Sequence, residues 1–152
     1  MSIDNASTVV TSIGAAYTRA LEHAARNNRL RQRPSAKVWS PLEYAMHLRD
    51  VLLLFARRIQ AILATTEPEL EVVSHDDLVA AGEYNQFDPQ VVAGQINDGA
   101  HQLAAILEKL APADFGRRGF RDGEQRTILA LAQRAAHESQ HHLLDMARGL
   151  GD

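Results

Sequence analysis

Apolar residues recur at helical spacing in several stretches of this chain. The clearest stretch lies between positions 41 and 64, where a rotation of about 100° per residue gathers the large apolar side chains into one arc. The side chains in this arc are Phe55, Leu48, Ile59, Leu52, Ile62 and Leu63. A later stretch keeps an apolar pattern although it contains Gly94 and Gly99, which weaken a helix. No run alternates apolar and polar residues as a half-buried strand does, so the pattern favours an all-α chain.

Polar caps and prolines mark where the helices begin. Ser40-Pro41-Leu42-Glu43 is a capping box, and Asp88-Pro89 is a second cap followed by proline. Thr127 is a weaker start for the last helix. The pattern predicts helices near residues 6–27, 41–64, 89–110 and 127–148, with long connections at 65–88 and 111–126 and one helical turn near 76–81.

Length and composition indicate one domain over residues 1–152, built as a helical bundle. Aromatic residues make up only 5% of the chain, so the core must consist mainly of Leu, Ile, Val and Ala. Two long connections between four helices are typical of a bundle with crossovers. The chain has no cysteine, which excludes disulfides, thiolate metal ligands and a cysteine nucleophile. Any thiol used in catalysis would have to come from a bound molecule.

Charge and hydropathy give no sign of a nucleic-acid or membrane partner. The formal net charge is −3, and the longest apolar run, 51–56, is far too short to span a bilayer. The first thirty residues do not resemble a secretion signal, so we expect a cytoplasmic protein. A group of arginines in the second long connection is interpreted as a solvated rim, or as a receptor for an anionic substrate; it comprises Arg117, Arg118, Arg121 and Arg126.

The histidines carry the main chemical signal. Three of the seven lie in the segment 137–142, and His137 and His141 are four residues apart on one helical face. His47 lies beside the apolar arc of the second helix, where we expect Glu43 or Asp50 to orient it. The second and last helices can pack side by side, so a three-histidine metal site is available. The competing interpretation is that these histidines are solvated or structural.

Two patterns in the last helix compete with that ligand pair. Its apolar stripe lies nearer His142 than His137 or His141, which makes Glu138 and His142, also four apart, a rival pair. A wet cleft beside the core would suit His137 and His141 instead. The segment also matches the H-E-x-x-H helix of zinc proteases, in which Glu138 would be the base. Leu144 and Ala147 break the extended protease pattern, which argues against a protease.

The order of these motifs resembles the DinB-like superfamily. The resemblance rests on a W-S-x-x-E-x-x-x-H segment at 39–47, the Asp88-Pro89 start and the H-x-x-x-H pair of the last helix. It implies an up-up-down-down four-helix bundle, often a homodimer, that binds a divalent metal. One ligand comes from the second helix and two come from the last, and these map to His47, His137 and His141.

The resemblance also implies a class of chemistry. The superfamily includes mycothiol-dependent maleylpyruvate isomerase and thiol S-transferases, so we expect a small electrophile as substrate and mycothiol or bacillithiol as thiol. The expected metal is zinc or nickel, with iron or manganese as alternatives. In the isomerase the last-helix pair is a glutamate and a histidine; here His137 stands in the glutamate position, and Glu138 is expected to act as a catalytic proton shuttle. A metal-dependent hydrolase and a non-catalytic bundle remain alternatives.

Overall fold

The computed structural model describes residues 1–151, and it confirms the all-α four-helix bundle. Its helices are α1 (Ile3–Arg26), α2 (Pro41–Ala64), α3 (His75–Ala81), α4 (Pro89–Glu108) and α5 (Ile128–Leu150). Two short strands, β1 (Arg118–Arg121) and β2 (Glu124–Thr127), precede α5. The short α3 coincides with the predicted helical turn. Within residues 1–151, no helix is both long and apolar enough to cross a membrane.

α2, α4 and α5 begin where the sequence places polar caps, because each cap satisfies backbone N–H groups that have no partner inside the helix. α1 begins at Ile3, three residues before its predicted start, because Ser2 caps it. The Ser40 hydroxyl accepts from the Glu43 N–H at 3.1 Å, and the Glu43 carboxylate accepts from the Ser40 N–H at 3.2 Å. Asp88 caps α4, and Thr127 caps α5 by accepting from the N–H of Ala130 at 3.1 Å. The predicted capping box at the start of α2 is therefore confirmed.

In the bundle, α1 and α2 occupy opposite corners, and each packs against both α4 and α5. α1 runs antiparallel to α4, because Ser7 near the start of α1 donates to Glu108 at the end of α4. α1 runs parallel to α5, because Gln133 in the first turns of α5 donates to the carbonyl of Met1 at 2.7 Å.

The direction of α2 follows from the contacts at its two ends. The Leu42 N–H donates to the Leu30 carbonyl, so α2 begins at the end of the bundle where α1 finishes. Arg117 donates to the Ile62 carbonyl and accepts from the Ile128 N–H, so α2 ends where α5 starts. The order along the chain is up, down, down, up, which differs from the expected up-up-down-down. The reason is that the connection 27–40 turns back at one end, whereas 65–88 travels the length of the bundle.

The contact between α2 and α5 positions the functional side chains. α2 buries most of its residues, including Leu48, Leu52 and Ile59. The rotation of α5 is fixed by Ser139, which is fully buried and whose carbonyl accepts from the Tyr17 hydroxyl at 3.0 Å. His47 on α2 consequently faces the second half of α5.

The expectation that the chain contains no strand is wrong for residues 118–127. β1 and β2 pair antiparallel around Asp122 and Gly123, whose φ angles of 54° and 78° suit a two-residue hairpin turn. The strands are short and polar, so they lack the apolar alternation from which a strand is recognised. Backbone pairing holds them to the connection after α2: the Phe120 N–H donates to the Pro68 carbonyl at 2.8 Å. Gly119 permits this approach, because a Cβ there would lie 2.8 Å from the same oxygen.

Glu43 links three segments at the start of α2. Its carboxylate is 3% exposed; it accepts from Arg33 Nε at 2.9 Å and from Asn85 Nδ2 at 3.0 Å, in addition to its own cap. Burial by itself raises the pKa of Glu43, but the hydrogen bonds from Arg33 and Ser40 outweigh it and hold the pKa below its ordinary value. The carboxylate therefore serves the cap and the loop, not His47.

Replacing Glu43 by glutamine is expected to destabilise the fold by about 2 kcal/mol at pH 7, because Arg33 and the cap lose a charged acceptor. A carboxyl whose folded pKa is depressed contributes stability that is present above its unfolded pKa of 4.5 and lost as the pH falls through the folded value. The difference between wild type and Glu43→Gln should therefore shrink below about pH 4.5. Urea unfolding at pH 7 and pH 4 measures both effects. Glu22→Gln, at an exposed position of α1, is the control and should change stability by less than about 0.5 kcal/mol.

Candidate metal centre

One side chain of α2 and two of α5 meet between these helices. His47 Nε2 lies 2.9 Å from His142 Nε2, and His142 Nε2 lies 3.0 Å from Glu138 Oε2. Glu138 and His142 are four residues apart, so both project from the same face of α5 toward α2. One ligand atom from each of the three residues lies within 4.8 Å of the others. We call this group the His47–Glu138–His142 cluster.

The cluster brings hydrogen-bond acceptors together. His142 Nδ1 lies 3.2 Å from Asp145 Oδ2, and an ionised carboxylate only accepts, so Nδ1 carries a proton and donates it. In a neutral ring, His142 Nε2 then carries a lone pair and no proton, and it faces another acceptor, Glu138 Oε2. Such a convergence is stable only when a proton or a cation lies between the atoms. The donor set therefore suits a positively charged ion, and Asp145 is the outer carboxylate that commonly supports a ligating histidine.

The protonation states also suit metal binding. When His142 Nε2 carries a proton, its hydrogen bond to the carboxylate lowers the pKa of Glu138 to about 2; burial opposes this shift, and the charge of Arg134 adds to it. Burial lowers the pKa of His47 to about 3, and the neighbouring rings of His142 and His75 lower it further. At neutral pH the cluster holds a carboxylate and a neutral imidazole, which are the forms that ligate metals.

The spacing of the cluster is compatible with a common ion. Metal–ligand bonds of about 2.0–2.1 Å place neighbouring ligand atoms about 2.9–3.4 Å apart. The two measured separations, 2.9 and 3.0 Å, fall in this range. Two histidines and one glutamate are a known catalytic zinc set that leaves a position open for water or substrate. The residues present therefore fit a divalent ion.

Aromatic rings hold the two histidines in place. Trp39 packs edge-on against His47 with ring centroids 5.2 Å apart, and Tyr44 stacks on His142 at 5.5 Å. These contacts explain the W-S-x-x-E-x-x-x-H segment: its tryptophan packs on the histidine, and its serine and glutamate cap the helix that carries the histidine. The whole segment thus fixes the position of one imidazole.

Neither Glu43 nor Asp50 orients His47 in the way that the sequence suggested. Asp50 instead accepts from Arg49 at 2.7 Å and from the Tyr84 hydroxyl. His47 Nδ1 is buried and has no hydrogen-bond partner among residues 1–151. The orientation of this ring therefore depends on packing against its aromatic neighbours.

The structure places His137 and His141 on the outer side of α5. Both are exposed, and their rings stack on each other with centroids 5.7 Å apart. His141 Nε2 lies 3.4 Å from Asp145 Oδ2, and His141, His142 and Asp145 form a second, more exposed group that could hold an ion. Of the expected ligands, only His47 lies in the buried cluster, where it meets the rival pair from the last helix. The three-histidine set stays a prediction, without support from this geometry.

His75 is a residue of the site that the sequence did not reveal. Its ring lies edge-on to His47 with centroids 4.6 Å apart, and it lines a cavity of about 200 Å³ together with His47 and Glu138. Burial lowers the pKa of His75, so its ring is neutral at neutral pH. Its only sequence signal is the position after Ser74, which caps α3. No spacing rule connects that position with α2 or α5.

The fold and this cluster define a helical bundle with a candidate metal centre between two of its helices. The family model of the DinB superfamily matches residues 13–146. The chain belongs to the DinB superfamily. No curated protein matches its sequence.

Solved structures resemble the chain at low identity. The structure of YfiT from Bacillus subtilis, described as a probable metal-dependent hydrolase with an unusual four-helix bundle topology, has a TM-score of 0.86 at 19% identity, over 98% of this chain and 87% of that one. A mycothiol-dependent maleylpyruvate isomerase has a TM-score of 0.72 at 11% identity, over 96% of this chain. The chain spans only 61% of that isomerase's length. These similarities establish the fold.

Metal content should identify the ligands. After loading with zinc and desalting, the wild type should retain one ion per chain, whereas His47→Ala, Glu138→Ala and His142→Ala should retain little, because each removes an atom of the cluster. His137→Ala and His141→Ala are matched controls on the same helix and should keep the ion. Elemental analysis, on protein purified without a nickel column, gives the answer. Loss in the two controls with retention in His142→Ala would favour the three-histidine set.

Asp145 is expected to act on the metal through His142. Asp145→Ala should weaken zinc affinity by roughly 10–100-fold, because the Nδ1 proton of His142 loses its acceptor and the ring its orientation. Asp145→Asn keeps an acceptor oxygen and should restore part of the affinity. Competition with a zinc-sensitive dye measures both values. Equal affinities for wild type and Asp145→Ala would contradict a positioning role.

Proposed function

We propose that this chain is a divalent-metal-dependent enzyme that uses a low-molecular-weight thiol, mycothiol or bacillithiol, either to conjugate that thiol to a small electrophile with displacement of its leaving group or to isomerise the electrophile. The observation that carries the proposal is the convergence of two imidazole nitrogens and a carboxylate oxygen in the His47–Glu138–His142 cluster, a donor set that suits a cation. Zinc or nickel suits this donor set, and iron or manganese is an alternative. A homodimer in the cytoplasm, acting on small molecules, is part of the same proposal and rests on the family resemblance.

The ligand pair supports a thiol-dependent reaction. The resemblance implies a glutamate and a histidine on the last helix of the mycothiol-dependent isomerase, and His137 seemed to replace that glutamate. With His142 facing His47, the residue four positions earlier is Glu138, so the carboxylate stands where the isomerase pattern places it. The absence of cysteine also fits a thiol supplied by a bound molecule.

Each residue of the site has a defined task in this proposal. His47, Glu138 and His142 hold the ion, and Asp145 keeps a proton on His142 Nδ1. A divalent ion supplies a Lewis acid that lowers the pKa of a thiol or of water, so a nucleophile forms at neutral pH. Glu138 Oε1 pairs with Arg134 at 2.5 Å and Oε2 faces His142, so we assign Glu138 to holding the ion and not to shuttling protons.

Metal-dependent hydrolysis is the second candidate. It is favoured by the similarity to YfiT, which is described as a probable metal-dependent hydrolase. That similarity extends over 87% of the YfiT chain. Hydrolysis uses the same ligands, with water in the place of the thiol.

A paired assay separates the two candidates. Zinc-loaded protein should conjugate mycothiol or bacillithiol to a chlorinated aromatic electrophile, and removing the thiol should abolish the reaction. His142→Ala should lower the rate at least about a hundredfold, because the nucleophile is no longer activated at neutral pH. His141→Ala should retain the rate of the wild type. Thiol-independent cleavage of a nitrophenyl ester with the same dependence on His142 would favour the hydrolase. Metal binding with neither activity would indicate a non-catalytic bundle.

A further inference from the structure

An arginine-lined cavity adjoins the His47–Glu138–His142 cluster. It measures about 460 Å³ and lies between α2, α5 and the β1–β2 hairpin. The smaller cavity that contains His47 and Glu138 shares part of this wall, so the two spaces adjoin. The shared residues are Phe55, Arg58, Arg121 and Arg134. Arg126 lines the larger cavity only.

Arg58 gives this cavity a buried positive charge. The residue is 5% exposed, and its guanidinium donates to the Glu71 carbonyl at 2.6 and 3.0 Å. The carbonyl carries only a partial negative charge, and the guanidinium also lies over the Phe55 ring at 5.6 Å, but no carboxylate among residues 1–151 forms an ion pair with Arg58. Burial lowers the pKa of Arg58, and the positive charge of Arg121 lowers it further, whereas the Glu71 carboxylate raises it. The Glu71 carboxylate pairs with Arg57 at 2.9 Å.

The carboxylates that pair with the two hairpin arginines are local and exposed, and Arg126 also donates to the Gln125 carbonyl at 3.0 Å. Arg121 lies 3.4 Å from Asp122, and Arg126 pairs with Glu124. Both carboxylates belong to the hairpin itself and are about two-thirds exposed, at 68% and 69%. Exposed ion pairs contribute little stability, so a ligand can displace them. The cavity thus concentrates positive charge in a chain whose net charge is −3.

We propose that this cavity binds the carboxylate or phosphate group of a small anionic substrate, through Arg58, Arg121 and Arg126. Arginine presents parallel N–H donors that match the two oxygens of such a group. The neighbouring His47–Glu138–His142 cluster then receives the reacting end of the same molecule. This second statement rests on the proposed function, whereas the anion site itself does not require the metal.

The structure also separates these arginines from two others in the same stretch of sequence. Arg117 donates to the carbonyls of Ile62 and Leu63, and Arg118 pairs with Glu67 at 2.7 Å on the other side of the hairpin. Neither lines the larger cavity. Arg118 therefore provides a matched control, because it lies in the same strand as Arg121 and carries the same charge.

Calorimetric titration of the full chain with succinate and with inorganic phosphate, at low salt, tests the anion site. We expect at least one of them to bind zinc-loaded and chelator-treated protein alike. The double variant Arg121→Gln/Arg126→Gln should weaken this binding about tenfold, because it removes two charged donors. Arg118→Gln should leave the affinity unchanged. Thermal melting of all variants verifies that the hairpin substitutions leave the fold intact.

The outcomes distinguish this proposal from the proposed function. Preference for succinate or for phosphate identifies the anionic group. An equal loss of affinity in Arg118→Gln would overturn the site, since the effect would then be one of net charge. Binding that requires zinc, fails in His142→Ala and survives in the double variant would also overturn it. If the wild type binds no zinc but binds the anion as expected, the site stands and the metal-dependent function fails.

Discussion

The antiparallel contact between α2 and α5 is the constraint on which the site depends. Most residues of α2 are buried, whereas α5 buries a single stripe of residues. Because α5 packs that stripe against α1 and α2, these two helices largely determine its position. The Tyr17 hydroxyl reaches the backbone of α5 at Ser139, a fully buried residue. Burial raises the pKa of Tyr17, which keeps the phenol protonated and able to donate. This contact fixes which side chains of α5 turn toward His47.

The electrostatics of the site follow from this packing. Two imidazoles and a carboxylate lie together in a region where burial disfavours protonated histidine. The hydrogen bond from His142 to Asp145 determines which nitrogen keeps the proton, so the other nitrogen faces the cluster as an acceptor. A few local contacts thus turn common surface residues into a set of donors suited to a cation.

The hairpin places positively charged side chains, which suit an anion, beside a cluster that suits a cation. Its backbone pairing with Pro68 brings Arg121 and Arg126 to the same wall as Arg58. A cluster suited to a cation, next to a set of arginines, is a suitable arrangement for a molecule with an anionic group and an electrophilic centre. α2 and α5 line both regions, and the hairpin joins them because it folds against the connection after α2.

The amino-acid sequence by itself determined the helical class and the starts of α2, α4 and α5. Caps such as Ser40 and Asp88 act through residues within one turn, so their effect can be derived locally. The sequence also located the relevant stretch of histidines and the DinB resemblance. The sequence pattern did not predict the polar strands β1 and β2, because backbone pairing, and not an apolar face, holds them in place.

Only the tertiary structure decided which residues of α5 face His47. Neighbouring residues on a helix differ by about 100° in direction, so the choice between His141 and His142 depends on how the helix is rotated. That rotation is set by contacts with α1 and α2 that are distant in sequence: Tyr17 and Ser139 are 122 positions apart, and His47 and His142 are 95 positions apart. The directions of the helices and the gathering of Arg58 with the hairpin arginines have the same origin. They depend on the paths of the long connections, which no local pattern encodes.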